Sequence, residues 1–164
     1  MTICIKNKHT LQIGEFKFRC CIGKNGSTNN KKEGDKKTPK GYFGIENLYF
    51  RKDRINKPLT SLKCIKIKKN MGWCDDIRFP KKYNKLFKIE KNIKHEKLKR
   101  KDFKYNLLIP IKYNFKKPII GKGSCIFIHL TKDYKATSGC VALREKDFLI
   151  LLKLIKRNSK IKIY

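Results

Sequence analysis

Short stretches of alternating hydrophobic and polar residues run along much of this chain of 164 residues. Side chains of a half-buried strand point alternately to the core and to solvent, so this pattern predicts β-strands. The predicted strands cover residues 2–5, 10–13, 15–22, 42–50, 62–68, 107–113 and 124–130. The first three would form a β-meander, and the last two are apolar enough to be buried strands.

Near the C-terminus the apolar residues change to helical spacing. They recur every three or four positions behind two acids, Glu145 and Asp147, which suit the positive end of a helix dipole. The pattern predicts a helix over residues 144–157, and residues 160–164 are expected to add an edge strand. The apolar positions of the helix are Phe148, Leu149, Leu151, Leu152 and Ile155.

Two segments lack a regular pattern. Residues 23–40 are mostly Gly, Asn, Ser, Thr and Lys, which predicts a loop of about eighteen residues, long enough to suggest a function or mobility. Residues 70–84 are irregular and aromatic. Because no internal repeat or linker is visible, the sequence predicts a single domain over residues 1–164, dominated by strands and carrying one helix.

The chain is strongly basic, with 43 Lys and Arg against 13 Asp and Glu and a net charge of +30. Such an excess ordinarily suggests a nucleic acid, an anionic membrane or an acidic polymer as partner. Here 36 of the 43 cations are Lys, scattered from Lys6 to Lys162, and the Arg side chains that favour phosphate groups are few. We therefore interpret the charge as a solvated surface and expect no nucleic-acid partner.

The seven cysteines do not form a recognisable framework. They stand at positions 4, 20, 21, 64, 74, 125 and 140, without a CxxC pair or zinc-ligand spacing. The sequence therefore supports neither a metal site nor a complete set of disulfides.

The N-terminal segment does not have the pattern of a secretory signal. Lys6, Lys8 and His9 interrupt the stretch where a signal peptide needs its apolar core. The longest apolar run, residues 148–152, is too short to span a bilayer. We expect a soluble chain with neither a secretory signal nor a transmembrane segment.

One pair of residues carries candidate chemistry. His129 closes an apolar strand, and Cys140 directly follows Gly139 in a turn. An ordinary cysteine is mostly protonated at neutral pH, and a neighbouring imidazole that takes its proton makes it a nucleophile. Gly139 allows a turn that exposes the thiol, and the amides of Gly139 and Cys140 would face the oxyanion of an acyl-transfer intermediate. On spacing alone, a structural His and an incidental cysteine are the commoner interpretation.

Motifs along nearly the whole chain change that balance. The segment around the pair fits a His, a spacer and then [Ser/Thr]-x-Gly-Cys, with Thr137 in the Ser/Thr position. Other motifs follow in one order: Phe18-Arg19-Cys20, Gly23-Lys24-Asn25-Gly26, Glu33-Gly34-Asp35, Thr38-Pro39-Lys40-Gly41-Tyr42-Phe43, Gly72-Trp73-Cys74-Asp75-Asp76, Tyr83-Asn84, His95-Glu96-Lys97-Leu98, Tyr113-Asn114 and Gly121-Lys122-Gly123-Ser124. Together they resemble the L,D-transpeptidase catalytic domain, the YkuD-like family, in its compact single-domain bacterial branch.

The resemblance implies a mixed β-sheet sandwich with one C-terminal helix, and chemistry that needs no metal or organic cofactor. Cys140 would be the nucleophile and His129 the base, with its ring oriented by the backbone carbonyl of Leu130. Gly139 would belong to the oxyanion hole. Ala142 stands where many members carry Arg, so donor specificity stays open. Possible substrate-binding residues, each with a structural role as the alternative, are Thr137, Ser138, Trp73, His95 and Tyr113.

The implied function is that of a peptidoglycan L,D-transpeptidase. The thiol would attack the amide before the terminal D-Ala of a stem tetrapeptide, form a thioacyl-enzyme, and pass the acyl group to an acceptor amine. One alternative on the same scaffold is an L,D-carboxypeptidase that hydrolyses stem peptides or recycled muropeptides. A more distant alternative is a cationic module that binds an anionic polymer.

The expected partners are peptidoglycan stem peptides, and we expect a monomer. The family's function implies the periplasm or the cell wall, although no signal peptide is visible in this sequence.

Overall fold

The computed structural model describes residues 1–164 and is mostly β, with 36% of residues in strands and 6% in helix. The elements in chain order are β1 (Thr2–Asn7), β2 (Thr10–Ile13), β3 (Phe16–Cys21), β4 (Ser27–Thr28), β5 (Thr38–Pro39), β6 (Gly41–Gly44), β7 (Leu48–Phe50), β8 (Cys64–Lys66), β9 (Met71–Cys74), β10 (Leu86–Lys88), β11 (His95–Lys97), β12 (Leu107–Pro110), β13 (Phe127–Leu130), β14 (Val141–Leu143), α1 (Glu145–Leu154) and β15 (Lys160–Ile163). The predicted fold class, mainly β with one helix near the C-terminus, is confirmed.

Ten strands form one sheet in the order β6-β15-β1-β2-β3-β14-β13-β12-β7-β8. Within it, β13 pairs antiparallel with β12 and parallel with β14. Parallel neighbours cannot be joined by a tight hairpin, so the ten residues 131–140 form a loop that returns the chain to the start of β14. A second sheet, β10-β9-β11, and the short β4-β5 pair complete the strand arrangement.

Alternating side chains decide which faces of the strands are buried. In β1 and β2, Ile3, Ile5, Leu11 and Ile13 are buried and their neighbours are not. β13 is buried at every position, which is expected of a strand covered on both faces. Its alternate residues enter two different apolar clusters, so β13 separates the two cores of the protein.

The larger core contains 25 buried residues, and the smaller contains eight, including Cys140. Phe148, Leu151 and Leu152 point from α1 into the larger core, as the helical period predicts. In the smaller core the rings of Trp73 and Tyr105 each meet Phe127 edge to face. This aromatic group forms the support beneath Cys140.

Several local predictions are corrected by the structure. The segment 23–40 is not simply a loop, because β4 and β5 pair in parallel within it. The segment 70–84 contains β9. β15 was predicted as an edge strand but lies inside the large sheet, between β6 and β1. β10, β11 and β14 were not predicted; each has three residues, too few to display a period. No helix is long and apolar enough to cross a membrane.

Candidate active site

The parallel pairing of β13 with β14 brings His129 and Cys140 to one face of the sheet. His129 pairs with Ala142, and alternation along β14 puts Cys140, two residues earlier, on the same face as Ala142. Cys140 is level with Phe127, whose N–H lies 3.4 Å from the Cys140 Sγ. From strand spacing and rise, the Cα atoms of Cys140 and His129 lie diagonally at roughly 8 Å, and no hydrogen bond joins the two side chains, since the thiol bonds to Cys125 and the imidazole to Leu130.

Both side chains line a cleft of about 730 Å³. Ser124 and Cys125, which precede β13, line it together with Glu33, and so do residues that follow His129. The volume lies within the range of sites that bind small molecules and short peptides.

The thiol of Cys140 is buried and protonated at rest. Only 9% of the residue is exposed. Its S–H donates to the carbonyl oxygen of Cys125 at 3.2 Å, while its sulfur accepts the N–H of Phe127. Burial, partly offset by the Phe127 N–H, raises the pKa of Cys140 to about 12. At neutral pH the sulfur therefore carries its proton.

The imidazole of His129 is buried and neutral. Its Nδ1–H donates to the carbonyl oxygen of Leu130 at 2.9 Å, as the family resemblance implies. Burial lowers the pKa of His129 to about 4, the bond to Leu130 opposes this, and the charges of Lys104 and Arg100 add to the lowering. Because Nδ1 holds the proton, Nε2 keeps its lone pair and can act as a base.

A buried threonine fixes the turn before Cys140. The Thr38 hydroxyl donates to the carbonyl oxygen of Gly139 at 2.8 Å and accepts the N–H of Gly23 at 2.9 Å. Gly139 has a φ of +137°, and a Cβ there would lie 2.9 Å from the carbonyl oxygen of Lys37. A residue with a side chain would therefore be strained and would collide with the backbone.

Thr137 closes the same turn from the other side. Its hydroxyl donates to the carbonyl oxygen of Cys140 at 2.6 Å and accepts the N–H of Gly139 at 3.1 Å. The Gly139 amide is therefore already used within the turn. The N–H groups of Ser138 and Cys140 donate to no acceptor in the protein, so they are the amides free to bind an oxyanion.

The remaining predicted binding residues divide into two groups. Ser138 is exposed and lines the cleft, as does Thr137. Trp73, His95 and Tyr113 do not line it.

Each residue of the second group has local partners away from the cleft. Trp73 is 3% exposed and donates its Nε1–H to Asn84. The Nδ1 of His95 bonds to the carbonyl oxygen of Ile93, and the Tyr113 hydroxyl donates to the carbonyl oxygen of Lys122. The structure brings none of these three side chains to the cleft that Cys140 lines.

Three further residues support the site without having been assigned a role from the sequence. Asn84 accepts the N–H of Cys125 at 3.1 Å and the Trp73 Nε1–H at 2.9 Å through the same oxygen. The ring of Tyr105 lies 5.5 Å from the His129 ring, and Glu33 lines the cleft. The Tyr83-Asn84 and Glu33-Gly34-Asp35 motifs marked two of these positions, but only long-range contacts reveal what they do.

The sequence model of the YkuD family, the L,D-transpeptidase catalytic domain, matches residues 2–163. Because the match spans nearly all of the chain, this protein belongs to the YkuD family. Members of the family are cysteine-dependent transpeptidases or carboxypeptidases that act on peptidoglycan stem peptides.

A search of curated proteins finds no significant match. Among solved structures, Bd1075 of Bdellovibrio bacteriovorus is similar over 99% of this chain, at 15% identity and a TM-score of 0.48. This chain covers 47% of the Bd1075 chain. A likeness at that level carries no argument about fold or function.

Proposed function

We propose that this protein is a peptidoglycan L,D-transpeptidase that uses Cys140 as nucleophile and His129 as base. The observation that carries the proposal is the shared face of β13 and β14, which presents thiol and imidazole to one cleft. The donor is a stem tetrapeptide, and the amide that breaks precedes its terminal D-Ala. This substrate class comes from the family to which the chain belongs.

The buried pair works by general-base catalysis rather than as a preformed ion pair. The pKa of Cys140 is raised to about 12 and that of His129 lowered to about 4, so thiolate and imidazolium do not coexist at rest. As sulfur bonds to the substrate carbonyl carbon, Nε2 of His129 takes the thiol proton. The same proton then passes to the departing amine of D-Ala, the C–N bond breaks, and a thioester remains on Cys140.

The oxyanion of the tetrahedral intermediate accepts hydrogen bonds from the N–H groups of Cys140 and Ser138. Both amides are unused within the protein, whereas the Gly139 amide is held by Thr137. Gly139 serves the site through its backbone conformation. Oriented donors of this kind stabilise developing charge at little reorganisation cost.

The thioester is then resolved by the amine of a second stem peptide, which gives a cross-link, or by water, which gives the carboxypeptidase reaction. Incubation with a stem tetrapeptide, with and without an acceptor stem, separates the two outcomes. We expect D-Ala release together with a dimeric product when acceptor is present. Release of D-Ala without any dimer would assign hydrolysis instead.

The nucleophile is tested by Cys140→Ala, with Cys125→Ala as matched control because Cys125 is a second thiol lining the same cleft. A carbapenem should acylate the wild type and Cys125→Ala, visible as added mass, and leave Cys140→Ala unmodified. Release of D-Ala should follow the same order. An adduct that persists in Cys140→Ala would refute the assignment, and a protein that neither reacts nor releases D-Ala would favour a binding module.

A further inference from the structure

The carboxylate of Glu33 is held in a fixed position on the wall of the cleft. Its Oε2 accepts hydrogen bonds from the Tyr83 hydroxyl at 2.5 Å and from the Ser124 hydroxyl at 2.8 Å. Tyr83 is fully buried, and burial together with Glu33 raises its pKa, so its hydroxyl remains a donor. Two donors on one oxygen leave the Oε1 atom of Glu33 available to a ligand.

No cation of the protein pairs with Glu33, although Lys and Arg outnumber the acids 43 to 13. Two nearby cations that line the cleft are already paired. Lys31 contacts Asp35 at 2.5 Å, and Lys94 contacts Asp75 at 3.0 Å. The Oδ1 atom of Asp75, which also lines the cleft, is buried without a hydrogen-bond partner. A fixed carboxylate that forms no ion pair, in a chain with so many lysines, indicates a place for a cation from outside.

Glu33 is bonded to Ser124, which precedes Phe127 in the chain, whereas His129 follows Phe127. Along the direction of β13, Cys140 is level with Phe127, while His129 follows two residues later. Cys125 precedes Phe127 by two residues, and its carbonyl oxygen lies 3.2 Å from the Cys140 Sγ. Ser124, the next residue back, donates to Glu33.

This order fixes the direction of the donor peptide. In the proposed reaction the leaving amine takes its proton from His129, so the leaving group lies at the His129 end. The acyl half must then extend from Cys140 towards Ser124 and Glu33. The residue whose carbonyl becomes the thioester then lies on the Glu33 side of Cys140.

We propose that Glu33 is a specificity-determining residue that binds the side-chain ammonium of the donor residue attached to Cys140. This inference rests on the proposed function. A diamino acid at that position carries a primary ammonium on a flexible chain. Its charge complements the unpaired carboxylate, and charge-assisted hydrogen bonds of this kind are the stronger ones. Glu33 thus selects donors with a free side-chain amine and disfavours neutral ones.

The test compares two tetrapeptide stems that differ only at the third residue, lysine in one and norleucine in the other. Norleucine keeps the four-carbon side chain and lacks the amine. Binding is measured by calorimetry in Cys140→Ala, which cannot turn the peptides over. We expect the lysine stem to bind about tenfold more tightly, the lower end of the range for hydrogen bonds to charged groups. Glu33→Gln in that background should abolish the preference by weakening the lysine stem alone.

Glu46→Gln is the matched control, since Glu46 pairs with Lys112 outside the cleft; it should leave the preference unchanged. An equal loss for both stems in Glu33→Gln, or an unchanged lysine preference, would overturn the proposal. Glu33→Asp provides a second variant that keeps the charge but withdraws it by one methylene. It should reduce the preference without abolishing it, and an unchanged preference would count against Glu33.

Turnover by the protein with Cys140 intact separates this inference from the proposed function. Release of D-Ala with the same lysine preference in wild type and Glu33→Gln would leave the function standing and refute the role of Glu33. Tenfold preference in binding without D-Ala release from either stem would support the ammonium site and refute the transpeptidase assignment.

Discussion

Replacing Thr38 by valine should loosen the turn that presents Cys140, the proposed nucleophile. Thr38 is fully buried, and its hydroxyl joins Gly23 to Gly139, one residue before Cys140. Valine has nearly the same shape but neither donates nor accepts. The substitution therefore leaves the Gly23 N–H and the Gly139 carbonyl without their partner while keeping the surrounding packing.

The expected cost follows from the two groups left behind. A buried donor or acceptor that loses its partner costs about 1–3 kcal/mol, so Thr38→Val should lower the free energy of unfolding by about 3 kcal/mol. For a domain of this size that corresponds to a fall in Tm of about 10 °C. Thr38→Ser is the control, since it keeps the hydroxyl and loses one buried methyl, at a cost of about 1 kcal/mol.

Urea unfolding followed by fluorescence gives both free energies, provided that the slope with denaturant is unchanged. Release of D-Ala gives the functional consequence, because the bond to Gly139 positions the Cys140 amide. We expect Thr38→Val to be less stable than Thr38→Ser and slower in acylation. If Thr38→Val had the same free energy of unfolding as Thr38→Ser, the Thr38 hydroxyl would not be what holds this turn.

Three further expectations come from two pKa shifts and one buried amide. Burial lowers the pKa of His129 from 6.5 to about 4. The free energy of unfolding should therefore fall as the pH is lowered from 6.5 to 4, by about 3 kcal/mol over the whole interval. In urea titrations, His129→Asn should make the free energy of unfolding less dependent on pH in this interval. Burial raises the pKa of Cys140 from 9.0 to about 12, so its alkylation by iodoacetamide, followed by mass spectrometry of its own peptide, should keep rising beyond pH 9; a plateau reached at pH 7 would indicate a preformed thiolate. Asn84→Ala leaves the N–H groups of Cys125 and Trp73 without an acceptor and should cost about 3 kcal/mol in thermal or urea unfolding, whereas a loss below about 1 kcal/mol would show that the Asn84 oxygen is dispensable.

Local patterns in the sequence were enough for much of the fold. Alternation predicted the β1–β3 meander and the helical period predicted α1, because both depend on which neighbouring residues face the core. The residues around Cys140 and His129 suggested the candidate pair, but the family motifs along the rest of the chain were needed to favour it over a structural His and an incidental cysteine. The carbonyl of Leu130 as the partner of His129 was implied by the family resemblance, and the structure has this bond.

What the sequence could not supply were contacts between residues far apart along it. β15 lies inside the sheet because it pairs with β1 from the opposite end of the chain, and no local pattern encodes that partner. Thr38 reaches Gly139 across 101 positions, and Glu33 reaches Ser124 across 91. Burial of Cys140 and His129, which keeps both neutral, likewise depends on how the sheets enclose the cleft. The sequence by itself thus determined most strands of the large sheet, the helix and the candidate pair, whereas the tertiary structure decided what supports that pair and keeps it neutral, because these depend on packing between distant segments.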